Sequence, residues 1–544
     1  FALLRPPRTG CPVCLVRRIR ATRPDRAMAD FPLGTLLGAC SEPGWPSDTA
    51  AAALVAHRII GAAGDAPDEA VLAELDFDTW ARVDHPVLRL PRCPACAPPA
   101  RSAEVDLRDA PAVTVARSWQ RMSRAVDPLT GVVADLRVRP SADRSSTAVW
   151  ASGGTDTRSF SPVRASCVGG ATKHDPVDAK VCALGEVFER YAAGIYDPDR
   201  FVRACLADLG DAAVDPRDLP LGSPREYEAT RGVLVPYRPD LVIDWVRGTR
   251  LDTGEPRYVP ACAVHVPYRP PSRRERLLHP NSTGLAAGST VAQAVRAGLS
   301  EVVERDAVAV FWYNALTPPT LDWSTLDPDD PARAALERLR REGIEVVVKD
   351  LTTDLGLPAV LALGRGGDAA RPVAVCGFRA DVDLRACLPG AVAELEHVLH
   401  MYRSGVAHGR AVTPGAEPAD MWDFGMYYCH PDRVGLLDFL AEGPVRPVGA
   451  PGPARSDFEA VRHVVERLAA AGHQAIAVDI TPVDVAECGV HVVRTVVPGL
   501  QPVGFSGDFR RLGGRRVYEA PVRMGSRDRP LTEDEVNPHP VPMG

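Results

Sequence analysis

The sequence predicts an α+β protein, a large mixed α/β body preceded by a small four-cysteine module, and three observations carry this. Two Cys-x-x-Cys knuckles, Cys11-Pro-Val-Cys14 and Cys93-Pro-Ala-Cys96, stand at either end of an N-terminal stretch. Beyond it, helical periodicity that stops at a glycine and gives way to a β-branched strand recurs. Charged residues at 24% and hydrophobic residues at 45% are the proportions of a folded globular chain, not a disordered one. At 544 residues there is room for roughly three or four units of ~150 residues.

Taken in order, the knuckles come first. Each presents two thiolates to one tetrahedral ion, and two complete a closed four-sulfur shell with Zn–S near ~2.3 Å. Cys11, Cys14, Cys93 and Cys96 are therefore expected to hold a structural zinc; a redox Cys-x-x-Cys is the competing reading. The 78 residues between knuckles must fold to bring them together. There the sequence predicts a helix at 47–62 and apolar pieces at 71–76 and 87–90, the last strand-like. Residues 97–103 read as a linker, so units of 1–110 and 111–544 are expected. In the second unit, helices at 331–342 and 458–471 end at Gly343 and Gly472 and lead into strands at 344–349 and 474–478. Further strands are expected at 359–363, 373–376 and 491–497.

The chemistry lies in a repeat. Residues 185–192 and 300–307 each carry Glu-x-x-Glu-Arg in helical context: Glu186, Glu189, Arg190 and Glu301, Glu304, Arg305. Carboxylates at i and i+3 leave one helix face together, ~5–6 Å apart at Cβ. Their neighbours are nearly all apolar, and a buried carboxylate must be paired or metal-bound. Two copies point to a shared site where carboxylates hold Mg²⁺ against phosphates; Glu–Arg pairs on solvent faces are the bland alternative. A third acidic helix is expected at 391–402, with Glu394 and Glu396. Gly169-Gly170-Ala-Thr-Lys173 and Asn281-Ser-Thr-Gly284-Leu-Ala-Ala-Gly288-Ser289-Thr290 precede the two motifs. They read as loops whose N–H groups close on phosphate, with Lys173 in reach of it. Thr290-x-x-Gln293 also fits a capping box.

The net charge of −7 argues against binding nucleic acid through phosphate neutralisation. No apolar run of ~18 residues and no signal sequence is present, so a cytoplasmic protein with no membrane partner is expected. Only three lysines occur, and the first residue is Phe1 rather than Met, so a preceding N-terminal part is expected.

Together the two Glu-x-x-Glu-Arg helices, the 281–288 approach and Ala393-Glu-Leu-Glu-His397 resemble the YcaO superfamily of ATP-dependent enzymes, from about residue 115 to the end. The resemblance implies that Glu186, Glu189, Glu301 and Glu304 bind Mg²⁺ bridging ATP phosphates, with Arg190 and Arg305 organising the site. It places Lys173, Ser289 and Gln293 at the nucleotide, though Thr172 stands where Lys is frequent, Ser289 where Asn is, and Gln293 where Glu is. The ending Asn537-Pro538-His539-Pro540-Val541-Pro542-Met543-Gly544 is a stiff polyproline segment. With Val497-Pro-Gly-Leu-Gln-Pro502 it resembles the azoline-forming cyclodehydratases of thiazole/oxazole-modified peptides, where such a tail lies near the active site, so Pro538, Pro540 and Pro542 are implied there. The knuckles, with Arg17 and Arg18, resemble the zinc-bearing end of a ThiF-like domain that binds the precursor's leader peptide. The resemblance further implies a ribosomal precursor peptide as substrate, a leader-binding partner protein, an azoline dehydrogenase and a homodimer. Formation of a thioamide or amidine, or a non-catalytic peptide-binding scaffold, are the other readings.

Overall fold

The computed structural model describes residues 2–4, 9–22, 70–75, 79, 81–96, 103–140, 147–153, 155–369, 371–410, 421–504 and 509–543. The expected helix at 47–62 and nearly all of the 97–103 linker lie outside the described residues.

The N-terminal module is an antiparallel sheet of Ala2–Leu4, Val71–Leu75 and Arg82–Pro86 with the helix Pro12–Thr22. The strand expected at 87–90 does not form; the strand ends at Pro86. Residues 88–90 have other partners for their backbone. Arg18 donates to the Leu88 and Arg89 carbonyls, and the Leu90 N–H donates to Cys14 Sγ. A ladder would have to compete with a buried guanidinium and a knuckle sulfur, and it loses.

Among the described residues the body holds three sheets. One is antiparallel, Asp135–Pro140, Thr147–Ser152 and Val168–Lys173. The second runs Leu285–Gly288, His491–Val496, Ile476–Asp479, Ile243–Arg250 and Val202–Ala204, with Pro256–Pro260 also on Ile243–Arg250. The third runs Pro372–Ala380, Ala359–Gly367, Glu345–Asp350, Thr320–Asp322 and Val445–Pro447, the last pair parallel. The helix–glycine–strand units form as expected: Pro331–Arg341 and Asp457–Ala470 are followed by Gly343 and Gly472 at positive φ.

Three long helices position the site. Pro176–Ala193 starts on Asp175, whose carboxylate accepts from the N–H groups of Val177 and Asp178. Val291–Tyr313 starts on Thr290 and is buried along almost its whole length. Leu384–Ala407 starts on Asp383. The 169–173 stretch is not a loop: Val168–Lys173 is a strand paired with Thr147–Ser152, and 285–288 is a strand too. The glycines serve close packing instead. A Cβ on Gly169 would sit 2.5 Å from the Ala183 carbonyl oxygen of the helix above it. On the third sheet, a Cβ on Gly377 would sit 2.2 Å from the Ala391 carbonyl oxygen.

No helix among the described residues is long and apolar enough to cross a membrane.

Candidate active site

That close packing sets where the carboxylates go. With the strand pressed onto the helix at Gly169, the next N–H, of Gly170, donates to Glu186 Oε2 at 2.6 Å. The same unit recurs at Gly377, where the Phe378 N–H donates to Glu394. In both, the glutamate lies three residues after the alanine whose carbonyl faces the glycine. Glu189 Oε1 accepts from Ala287 N–H at 2.8 Å, and Glu301 Oε2 from Gly284 N–H at 3.0 Å. Each of these four carboxylates is thus aimed by one backbone N–H; the other oxygen of Glu186 pairs with Arg190 and that of Glu301 faces Arg305, while Glu189 and Glu394 keep theirs for the site. Glu304, 7% exposed, is flanked instead by Arg305 Nε at 3.4 Å.

The glutamates act on one another in sequence, Glu186 and Glu301 on Glu189, and Glu304 on Glu301 and Glu394. Burial first, then neighbouring carboxylates, push Glu189 up to about 8 and Glu394 to about 7, and burial raises Glu301. Arg190 pairs with Glu186, and Arg305 with Glu301 at 3.6 Å. Burial works against the Arg305 charge, yet Glu304, Glu301 and Glu394 raise it.

This donor set fits magnesium. It offers hard oxygens, but no three of its carboxylates bring ligand atoms within 4.8 Å of one another, as the four cysteines do among the described residues, so a cation here would rest on one or two of them. Open carboxylates of this kind hold Mg²⁺ through one or two oxygens while phosphates and water complete the shell. A protonated carboxylate must lose its proton to bind a cation, so raised carboxylates oppose Mg²⁺ at low pH. Calorimetric titration of Mg²⁺ with ADP should accordingly show affinity rising between about pH 6 and pH 8. The rise should flatten in Glu189→Gln.

Glu396, by contrast, turns away to pair with Arg338. Ser289 Oγ lies 2.8 Å from Ser118 Oγ, and its N–H donates to Gln293 Oε1 at 2.7 Å. Thr290 Oγ1 accepts from Gln293 N–H, so only half of the capping box forms at the N-cap residue itself. Thr172 bonds His397 Nδ1 at 2.8 Å. Burial, then His400 and Lys173, hold His397 down at about 4.

The tail is docked on Val291–Tyr313. Trp312 Nε1 donates to the His539 carbonyl at 2.8 Å, Tyr428 hydroxyl to the Pro540 carbonyl, and Asn537 N–H to the Tyr313 carbonyl. Val541 and Met543 are buried, and Arg305 donates to Met543 Sδ, so the tail reaches the glutamate row. Of the three prolines, Pro542 is buried, Pro540 half-buried and Pro538 exposed. None carries an acid, base or nucleophile; the anchors are carbonyls and the alternating Val541 and Met543.

At the knuckles, Cys11 Sγ lies 3.7 Å from Cys14 Sγ and 3.6 Å from Cys93 Sγ, and Cys14 Sγ lies 3.3 Å from Cys96 Sγ. The edge of a tetrahedral sulfur shell at ~2.3 Å from zinc is about 3.8 Å, so the four thiols fit that ion.

Two features escaped the sequence reading. Arg18, 1% exposed, donates to Asp484 Oδ2 at 2.7 Å, and Tyr191 hydroxyl donates to the same oxygen at 2.6 Å. The knuckle helix is thereby tied to the helix that carries Glu189. Arg494 and Arg511 are buried close enough to repel one another, and Arg494 also feels Glu301. No sequence period marks either set, because their members lie in separate segments.

A family model described as YcaO cyclodehydratase, ATP- and Mg²⁺-binding, matches residues 170–501. An uncharacterized protein of Methanothermobacter thermautotrophicus is 28% identical over 363 residues, 64% of this chain and 83% of that protein. Among solved structures, a heterocyclase in complex with substrate and cofactor aligns with a TM-score of 0.77 at 24% identity, over 99% of this chain and 75% of that one. The YcaO of Methanopyrus kandleri bound with AMPPCP and Mg²⁺ aligns with a TM-score of 0.52 at 22% identity, over 72% of this chain and 92% of that one. These two likenesses concern the fold.

Proposed function

The chain belongs to the YcaO cyclodehydratase family, described as ATP- and Mg²⁺-binding, and from that premise we propose that it forms azolines in a ribosomal precursor peptide. The observation that carries the reading is the row of glutamates from three helices, ending at Arg305, onto which the chain's own Pro-rich tail is folded.

A Cys, Ser or Thr side chain of the peptide attacks the preceding carbonyl carbon, its thiol or hydroxyl proton passing to water as the carbonyl π pair moves onto oxygen. The oxygen so formed attacks the γ-phosphorus of ATP, and ADP leaves. The C–O bond then breaks, orthophosphate departs with the bonding pair, and the amide nitrogen gives up its proton as C=N forms. The protein supplies position and charge, because the reacting groups bring the bond-making themselves. Glu186, Glu189, Glu301, Glu304 and Glu394 would hold magnesium, which neutralises phosphate oxygens when bound. Arg190 and Arg305 keep the carboxylates in place. Ser289, Gln293 and Lys173 face the nucleotide in this reading, and residues 1–110 receive the leader peptide. The test is direct: enzyme, Mg-ATP and a leader-bearing Cys peptide should yield loss of one water per ring by mass. ATP turnover with unchanged peptide mass, or exchange of oxygen for sulfur, overturns it.

Two further outcomes are expected. Deleting residues 538–544 should lower ring formation by about 10²-fold, the cost of a misplaced reacting group, while the protein stays soluble. Rate and sedimentation together check this. Metal analysis should find about one zinc per chain. Cys93→Ser should lose it and expose the Pro12–Thr22 helix to proteolysis.

A further inference from the structure

Arg494 and Arg511 are 5% and 8% exposed, and among the described residues neither forms an ion pair with a carboxylate. Arg494 donates from Nη1 to the Asn281 carbonyl at 2.8 Å and from Nη2 to Asn281 Oδ1 at 3.4 Å, and Arg511 donates to the His279 carbonyl. A carbonyl dipole does not cancel a full charge in the interior. Burial holds both guanidiniums down at about 10; Glu301 offsets part of this at Arg494, and Arg511 repels it. Two buried cations facing one cavity are costly unless an anion completes them.

The cavity is present. It has a volume of about 60 Å³ and is lined by Asn281, Thr283, Val302, Arg494, Gln501 and Arg511. Arg494 Nε and Asn281 Nδ2, both donors, are buried without a hydrogen-bond partner. One water needs ~10–15 Å³ of such space, so there is room for a few waters or one tetrahedral oxyanion, and none for a nucleoside. Its position relative to the glutamates is close: Val302 follows Glu301, and Thr283 precedes the Gly284 whose N–H aims Glu301.

The wall is also built to hold Arg511 in place. Arg511 sits at φ 65°, a left-handed conformation that an L side chain adopts only when its surroundings impose it. Glu226 imposes it by accepting from the N–H groups on either side, those of Arg510 and Leu512. Gln501 adds a hydrogen bond to the Arg511 carbonyl at 3.1 Å.

We propose that Arg494 and Arg511, with Asn281, form a subsite for one phosphate group, the phosphoryl that passes from nucleotide to peptide oxygen and leaves as orthophosphate. The assignment of which phosphate rests on the cyclodehydratase reading. Two guanidiniums and an amide offer forked donors to a tetrahedral dianion, and Glu301 and its neighbours would hold the metal. Orthophosphate carries away the former carbonyl oxygen and the C–O electron pair.

The experiment titrates orthophosphate and ADP, each with Mg²⁺, against the full chain and against Arg494→Met and Arg511→Gly. Glycine suits the left-handed backbone, so the second variant removes charge without adding strain. The expected result is that orthophosphate affinity falls more than about tenfold in both variants while ADP affinity stays within about twofold. The ligand-free thermal midpoint should hold or rise, since an uncompensated buried charge has gone. Equal losses for both ligands, unchanged orthophosphate affinity, or a lowered midpoint in both variants would overturn the subsite. Should either variant fail to fold, the wild-type arm decides: orthophosphate must raise the thermal midpoint, and no shift overturns the proposal. The titration needs no peptide, so a chain that makes no azoline can still pass it, and one that makes azolines can still fail.

Discussion

Glu304→Gln should lower ATP turnover by about 10²–10³-fold while leaving the fold intact. Glu304 sits at the centre of the glutamate row, acting on Glu301 on its own helix and on Glu394 on the third. Glutamine keeps the shape and removes the charge that would face a cation. Losing one preorganised charge at a phosphoryl-transfer site costs about 10²–10³-fold in rate. Phosphate release measured with peptide and saturating Mg-ATP checks this. Because one like charge has left a crowded row, the ligand-free thermal midpoint should not fall. A variant that retains turnover would take Glu304 out of the site, and one that loses turnover only by unfolding would assign it a structural role.

A second large effect is expected far from that row. Asp484→Ala leaves Arg18 charged and buried with its carboxylate gone, and removing one partner of a buried pair costs about 3–5 kcal/mol. Arg18 and Asp484 are both under 2% exposed, so solvent screens little of this. Tyr191 also loses its acceptor, and Tyr191 lies within a turn of Glu189 on the same helix. Denaturant unfolding should show the loss, and limited proteolysis should open the knuckle helix first. The double replacement Arg18→Met with Asp484→Leu should recover most of the stability, since apolar pairs of similar volume replace buried ion pairs well. Little loss in the single variant would mean that water or another group compensates Arg18.

Much of the site was legible because its chemistry is local. The i,i+3 spacing of Glu186 with Glu189 and of Glu301 with Glu304 follows from helical periodicity, and apolar neighbours announce their burial. The glycine stretch at 169–173 reads as a loop but folds as a strand, because glycine serves two opposite ends. It frees a loop, and it also removes the side chain where a strand must touch a helix. Only the facing Ala183 carbonyl tells the two apart, and it lies on another element. For the same reason Glu394 read as one more acidic helical residue, although Gly377 and Ala391 repeat the Gly169 and Ala183 geometry around it.

The residue types and their short-range spacing determined on their own that this chain has a four-thiol knuckle pair, two carboxylate helices and a stiff Pro-rich end. Those properties depend on neighbours within a turn or two. The tertiary structure alone decided which carboxylates face one another, that the tail ends on Arg305, that Arg18 finds Asp484, and that Arg494 and Arg511 share a cavity. Each of these joins segments with no common period, and the energy that selects them, burial of charge beside its complement, exists only once the chain has closed around it.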